Sequence, residues 1–296
     1  MADIQLRFHK DMLVMSAPID YTLTRQGVDL DNDAEFVSLF EGDTVHDALS
    51  MEQLAGAACL VSNTEGICKA RLAHKRMELH AQEIADSAIE AAQECTPQHI
   101  VFEIGPCGLP LDPESGASRK QSRKQYADAA SLVAGAEIDG VFLNGMRTAA
   151  DMQCAIAGVR DATDMPLFAS VTLDADGFFD GMPAHEAVSC MEGADVVGVR
   201  TAADADAIAA IVAKMAQETD KPILVQVEIK QATEAEKHRA TLGPLPDNPY
   251  PTPDHLAQAA VQYFKAGAQF LRAVGEATPA YTGALAAVCY GLDARR

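Results

Sequence analysis

Basic residues are scarce in this chain of 296 residues: 23 Lys and Arg stand against 43 Asp and Glu, a formal net charge of -20. That balance argues against a nucleic-acid partner, because a phosphate backbone is held chiefly by Lys and Arg. It implies an acidic, soluble surface and says nothing about fold. Long apolar runs are also missing. No stretch approaches the roughly 20 residues of a membrane span, and Met1 to Arg7 has no basic-then-apolar leader. A cytoplasmic protein is therefore expected. The seven cysteines, at 59, 68, 95, 107, 154, 190 and 289, form no Cys-x-x-Cys pair, which argues against a disulfide scaffold or a zinc-finger module. Most sit in apolar contexts and read as small core residues. Gly-x-Ser-x-Gly is absent, and no Ser-His-Asp or Cys-His order stands out.

What the chain does contain is an alternation. Short runs rich in Val, Ile, Leu and Phe recur at residues 12–18, 57–64, 99–106, 140–145, 166–173, 195–201, 222–229 and 268–275. They lack strict polar alternation, as expected of strands covered on both faces. Helical spacing fills the intervals, at 70–95, 123–136, 149–162, 184–193, 203–218, 254–267 and 279–290. Gly135, Gly193 and Gly267 each stand just before a strand, and Thr252-Pro253 and Thr278-Pro279 are good helix starts.

Eight strand-then-helix units predict a single (β/α)8 barrel over residues 1–296. A doubly wound sheet would usually carry a glycine-rich phosphate turn after its first strand, and Met15-Ser16-Ala17-Pro18-Ile19-Asp20 offers none. Two segments break the rhythm. Residues 26–50 are acidic, with Asp29, Asp31, Asp33, Glu35, Glu41 and Asp43; residues 232–252 carry Pro244, Pro246, Pro249 and Pro251. Both follow strands, so long loops are expected after strands 1 and 7, on the face where barrels place their sites.

Five places resemble the homocysteine S-methyltransferase family. Leu13-Val14-Met15-Ser16-Ala17-Pro18 is similar to its Leu-Val-Leu-Asp-Gly-Gly, and Val61-Ser62-Asn63-Thr64 to its Glu-Thr-Asn-Thr-Phe. Ile104-Gly105-Pro106 resembles its Gly-Pro turn, and Ser170-Val171-Thr172 through Asp180-Gly181 its Ser-x-Thr and Asp/Ser-Gly segment. Thr252-Pro253 through Thr278-Pro279 parallels its last helix, strand and turn, spacing included. The resemblance implies an enzyme in which three cysteines hold a zinc that activates a thiolate. Such soft ligands suit zinc. At the matching positions this chain has Thr201, Val274 and Gly275, so zinc is not expected. Where the family contacts the amino acid, Ser16 replaces its first-strand Asp and Asn144 its fourth-strand Glu. Homocysteine is therefore not the expected acceptor.

The ends of the strands then supply the candidates. Glu103 and Glu276 are the candidate acid/base pair; Asn63, Asn144, Arg200, Glu228 and Arg272 are the candidate substrate-binding residues; no residue is assigned to a metal. Arg200 and Arg272 either converge on an anion, since guanidinium offers paired donors in a plane, or pair with Glu103, Glu228 or Glu276. The resemblance implies methyl transfer from a folate or a corrinoid-bound methyl group, with a corrinoid protein as partner, to a small anionic substrate. Two alternatives stay open: a non-catalytic binding or assembly subunit that keeps the barrel, and an ordinary homocysteine S-methyltransferase. The oligomeric state is open too, a homo-oligomer included.

Overall fold

Each of the eight apolar runs becomes a strand. The computed structural model describes residues 3–30, 37–241, 245 and 247–295. Its strands are β1 (Leu13–Val14), β2 (Cys59–Val61), β3 (His99–Ile104), β4 (Gly140–Met146), β5 (Leu167–Thr172), β6 (Val196–Thr201), β7 (Ile223–Ile229) and β8 (Ala268–Gly275). They lie in the order 1-8-7-6-5-4-3-2, every pair parallel. The ends of this sheet meet: Met15 bridges Cys59, Ala58 N donates to Val14 O at 2.9 Å, and Ser16 N donates to Cys59 O at 2.9 Å. The sheet is thereby a (β/α)8 barrel, which leaves no long edge exposed.

Helices cover the outside, among them α1 (Asp20–Arg25), α2 (Gly42–Leu54), α3 (Lys69–Ala73), α4 (Ala81–Glu94), α5 (Gly116–Ser131), α6 (Ala149–Ala162), α7 (Ala205–Glu218), α8 (Glu234–Ala240), α9 (Pro253–Ala266) and α10 (Pro279–Cys289). Pro253 and Pro279 open their helices, and Gly267 ends α9 in the left-handed region at φ 113°. None of the described helices is long and apolar enough to cross a membrane.

Two departures from the sequence reading have local causes. The helix expected over 70–95 breaks after α3, because Arg76 adopts φ 60° while Arg76 N donates to Ala73 O and Met77 N to Leu72 O, each at 3.1 Å. Those two bonds form a Schellman stop, usually marked by glycine and here made by arginine. Between β5 and β6 a two-stranded hairpin (Phe178–Phe179 with Met182–Pro183) is followed by a 3₁₀ helix (Glu186–Met191) where a full helix over 184–193 was expected. The 3₁₀ form covers more length per residue than an α-helix would.

Both irregular excursions carry helix: α2 closes the first, and a capping box of Thr233 and Glu236 starts α8 in the second. Asp31, Asp33, Glu35, Pro244 and Pro246 lie outside the described residues.

Inside the barrel the side chains form levels. At the base, Phe142, Phe168, Val196, Leu224 and Phe270 point inward above Ile4 of an N-terminal 3₁₀ turn. Phe8 plugs this end, edge-on to Phe168 and Phe270 with centroids 6.1 and 6.0 Å away. Two residues further along the strands, period-two alternation brings Glu103, Asn144, Ser170, Gln226 and Arg272 inward as a buried polar level. The site stands on that level.

Candidate functional site

Arg272 decides what the polar level is. Neighbours Leu271 and Ala273 pack outward against the helices, so Arg272 faces the barrel interior, with 1% of its surface exposed. Its Nε donates to Ser16 O at 2.8 Å, Nη1 to Gln226 Oε1 at 3.2 Å, and Nη2 to Glu103 Oε2 at 3.3 Å. The guanidinium also lies 5.5 Å from the Phe142 ring centroid. Asn144 Nδ2 donates to Glu103 Oε1 at 2.7 Å, and Gln226 Nε2 donates to Asn144 Oδ1 at 2.9 Å and to Ser170 Oγ at 2.8 Å. A buried charge is tolerated only when paired and hydrogen-bonded, and here every member is.

Arg200 lies nearer the mouth, on β6. Its Nε donates to Glu228 Oε2 at 2.7 Å, with both side chains about one-third exposed. Burial works against the Arg200 charge, but the hydrogen bond and charge of Glu228, then Glu103 and Glu65, hold its pKa above the ordinary value. The convergence of Arg200 and Arg272 on one anion is therefore not what the barrel builds. Arg272 has spent its donors on Ser16, Gln226 and Glu103, and Arg200 is matched by Glu228. Among the described residues the Nη groups of Arg200 carry no hydrogen bond, and Arg200 lines the open space at the mouth.

That space is a cavity of about 100 Å³ lined by Asp20, Asn63, Glu65, Glu103, Asn144, Arg200 and Arg272, among others. It adjoins an open cleft of about 1200 Å³, which shares Glu65, Gly145 and Arg200 with it and is walled by Pro106, Leu109, Leu111, Met146, Arg147 and Leu173. Of the sequence candidates, Asn63, Glu103, Asn144, Arg200 and Arg272 meet at the cavity, and Glu228 stands behind Arg200. Asn63 Nδ2 donates to Ser38 Oγ at 2.9 Å, which ties the turn after β2 to the excursion after β1. Glu276 is not among the lining residues. Its Oε2 accepts from Gln231 N at 2.6 Å and its backbone O from Gln231 Nε2 at 2.7 Å, so it clips the β8 turn to the segment after β7.

Sequence reasoning passed over Asp20 and Gln226. Gln226 carries a readable signal, a lone amide two residues before Glu228 and so on the same strand face. Asp20 has a weaker one, an acid a few residues beyond β1 on the mouth side. Asp20 keeps solvent contact at the cavity opening, yet protein crowds its carboxyl, and that desolvation dominates. With Glu103 and Glu65 adding repulsion against the pull of Arg272 and Arg200, its pKa rises to about 6.

Zinc finds no ligands at the three positions where the resemblance would put them. Thr201 Oγ1 accepts from Ala203 N at 3.1 Å, and Val274 is wholly buried. Gly275 has φ 72°, and a Cβ there would stand 2.5 Å from Glu228 Oε1 and 2.8 Å from Ile229 O. No thiolate is offered at any of the three, and the Glu228 carboxylate and the Ile229 carbonyl crowd the space a side chain at 275 would need. Cys68 and Cys107 lie behind the strands, against Gly105 O and Ser122 Oγ. The donor set does not fit zinc.

The family model described as homocysteine S-methyltransferase matches residues 23–287 of the chain. Among solved structures, the metallated form of the homocysteine methyltransferase MmuM from Escherichia coli superposes with a TM-score of 0.75 at 15% identity, covering 94% of this chain and 96% of that one. Its apo form gives 0.70 at 14% identity over the same shares. A GH138 enzyme targeting pectin rhamnogalacturonan II gives 0.59 at 10% identity, with 97% of this chain and 40% of that chain covered. No curated protein matches in sequence. At these identities the superpositions show the barrel fold alone.

Proposed function

The chain belongs to the homocysteine S-methyltransferase family, and from that premise we propose that it transfers methyl groups without zinc and without homocysteine. The methyl comes from a folate or from a corrinoid held by a partner protein, and the acceptor is a small molecule with an anionic group. One observation carries the zinc-free part: Glu228 Oε1 stands 2.5 Å from where a Cβ at 275 would be. A lost cysteine would leave a gap. Here the gap is occupied by a carboxylate that Arg200 holds in place, so the position has been rebuilt for another use. The exchange of Asp and Glu for Ser16 and Asn144 removes the contacts the family resemblance assigns to the amino acid, which supports a different acceptor.

The Nη groups of Arg200 support the anionic group. Arg200 lines both the cavity and the cleft, and Arg147 lines the cleft alone. The reacting end of a substrate would enter the cavity, with its anion at Arg200. The larger cleft leaves space for a donor. Holding both reactants in one orientation is itself a large share of catalysis for group transfer.

Metal analysis of the purified protein tests the reading, together with Thr201→Cys/Val274→Cys/Gly275→Cys. Wild type is expected to hold no stoichiometric sulfur-bound zinc, and the triple variant to fail to gain a stable site, because position 275 has φ 72° and a Cβ there would stand 2.8 Å from the Ile229 backbone O. Stoichiometric zinc on cysteine sulfur in wild type, with homocysteine methylated, would overturn it. The second reading, a binding or assembly subunit, draws on the self-satisfied polar level beneath so small a cavity. Copurification with a corrinoid protein and no turnover by either alone or together would favour it.

A further inference from the structure

We propose that Asp20 takes the proton from the methyl acceptor, a small N–H or O–H nucleophile in place of the thiol that a zinc site would activate. The inference rests on the methyltransferase reading above and names how its acceptor is activated.

The charges around the cavity cancel in pairs except at Asp20. Glu103 on β3 is bonded to Arg272 on β8; Glu228 on β7 to Arg200 on β6; Glu65, after β2, to Arg71 at 2.8 Å. Among the described residues nothing stands within hydrogen-bond distance of the Asp20 carboxylate, although it lines the cavity. An acid left without a partner at the wall of an otherwise satisfied pocket is available to the ligand. Its surroundings hold its pKa at about 6, by desolvation first and by Glu103 and Glu65 second, with Arg272 and Arg200 opposing. A base in that range is ionised at neutral pH and accepts a proton far better than an ordinary carboxylate.

Size and chemistry agree. About 100 Å³ is the share of roughly three water molecules in the liquid, enough for a reacting group and its nearest atoms. Zinc would lower the pKa of a thiol directly, and the donor set does not provide for it. A neutral amine or hydroxyl needs only that its proton leave as its bond to carbon forms. The acceptor's lone pair makes the new bond to the methyl carbon. The donor–methyl bond breaks with its electron pair left on the donor, and where that donor is a folate its nitrogen takes up a proton from solvent. The acceptor's proton passes to an Oδ of Asp20 and from there to solvent at the cavity opening.

The test uses the full chain labelled with ¹³C at aspartate carboxyls, as wild type and Asp20→Asn, and a transfer assay with methylcobalamin or 5-methyltetrahydrofolate against small amines, alcohols and thiols. The resonance missing from Asp20→Asn is expected to titrate near pH 6. Transfer is expected to amines or alcohols, with kcat lowered about a hundredfold or more in Asp20→Asn, donor KM little changed, the acidic limb of the pH profile lost, and partial rescue by Asp20→Glu. An ordinary carboxylate titration, an unchanged pH profile in Asp20→Asn, or a preference for thiols overturns the assignment and leaves the methyltransferase reading standing. No transfer to any acceptor overturns that reading and this role with it, even if Asp20 titrates near pH 6.

Discussion

Arg272→Met is expected to be among the most damaging single changes in the barrel, and Arg272→Met/Glu103→Gln to be much less damaging than the sum of its parts. The guanidinium is 1% exposed and directs donors at Ser16 O, Gln226 Oε1 and both oxygens of Glu103. Methionine fills similar volume but leaves the Glu103 carboxylate without its cation. Removing one partner of a buried pair costs about 3–5 kcal/mol, against a total stability on the order of 5–15 kcal/mol. Glu103→Gln costs a comparable amount, because Arg272 is then the uncompensated charge. The double variant has no buried charge at this level. Its residual cost comes from Ser16 O and Gln226 Oε1, at roughly 1–3 kcal/mol per orphaned group before relaxation. Urea denaturation of the four proteins yields the coupling, expected to exceed about 2 kcal/mol in favour of the double variant. Independent sites add to within about 0.5 kcal/mol. Additive losses would mean that the two side chains do not share a charge-balanced interior, and the assignment of Arg272 as spent on Glu103 would fall.

Two further outcomes follow from carboxyls whose pKa is raised. Asp20 has a folded pKa of about 6 against roughly 4 unfolded, so its protonated form favours the fold: that contribution is full below pH 4 and lost as pH rises to 6. Asp20→Asn is accordingly expected to flatten the stability–pH curve between those values and to be the more stable protein at pH 7.5, which denaturation across pH checks; an unchanged slope refutes it. Glu52, 3% exposed, accepts from Ala17 N at 2.9 Å and Thr282 Oγ1 at 2.5 Å, and so joins α2 to the turn after β1 and to α10. Glu52→Ala is expected to cost about 2–4 kcal/mol by orphaning both donors. Desolvation raises the Glu52 pKa, so the wild-type contribution weakens as pH rises, and the deficit of Glu52→Gln in thermal melts should be smaller at pH 8 than at pH 5.

The barrel was legible in the sequence because parallel strands covered on both faces become apolar runs, and β8 is readable to the residue. The break at Arg76 was not legible, because a left-handed helix stop made by arginine carries no compositional mark. At the site the difference is one of kind. Each charged residue of the mouth can be seen singly along the chain, but pairing depends on pleat and register. Arg272 looks like a free cation until Leu271 and Ala273 are found facing out. Asp20 looks ordinary until Glu65, Glu103, Arg200 and Arg272 are found around it.

Gly275 shows most sharply what linear reading misses. Along the chain it is a cysteine that went missing. In the barrel it lies beside Glu228 in register across β7 and β8, pairing at Val274↔Glu228 and Gly275↔Ile229, and Glu228 in turn holds Arg200. A side chain at 275 would be strained at φ 72°, would meet Ile229 O at 2.8 Å and would crowd the carboxylate that Arg200 holds. Positions 200, 228 and 275 are therefore one coupled change, and returning a single cysteine cannot reverse it.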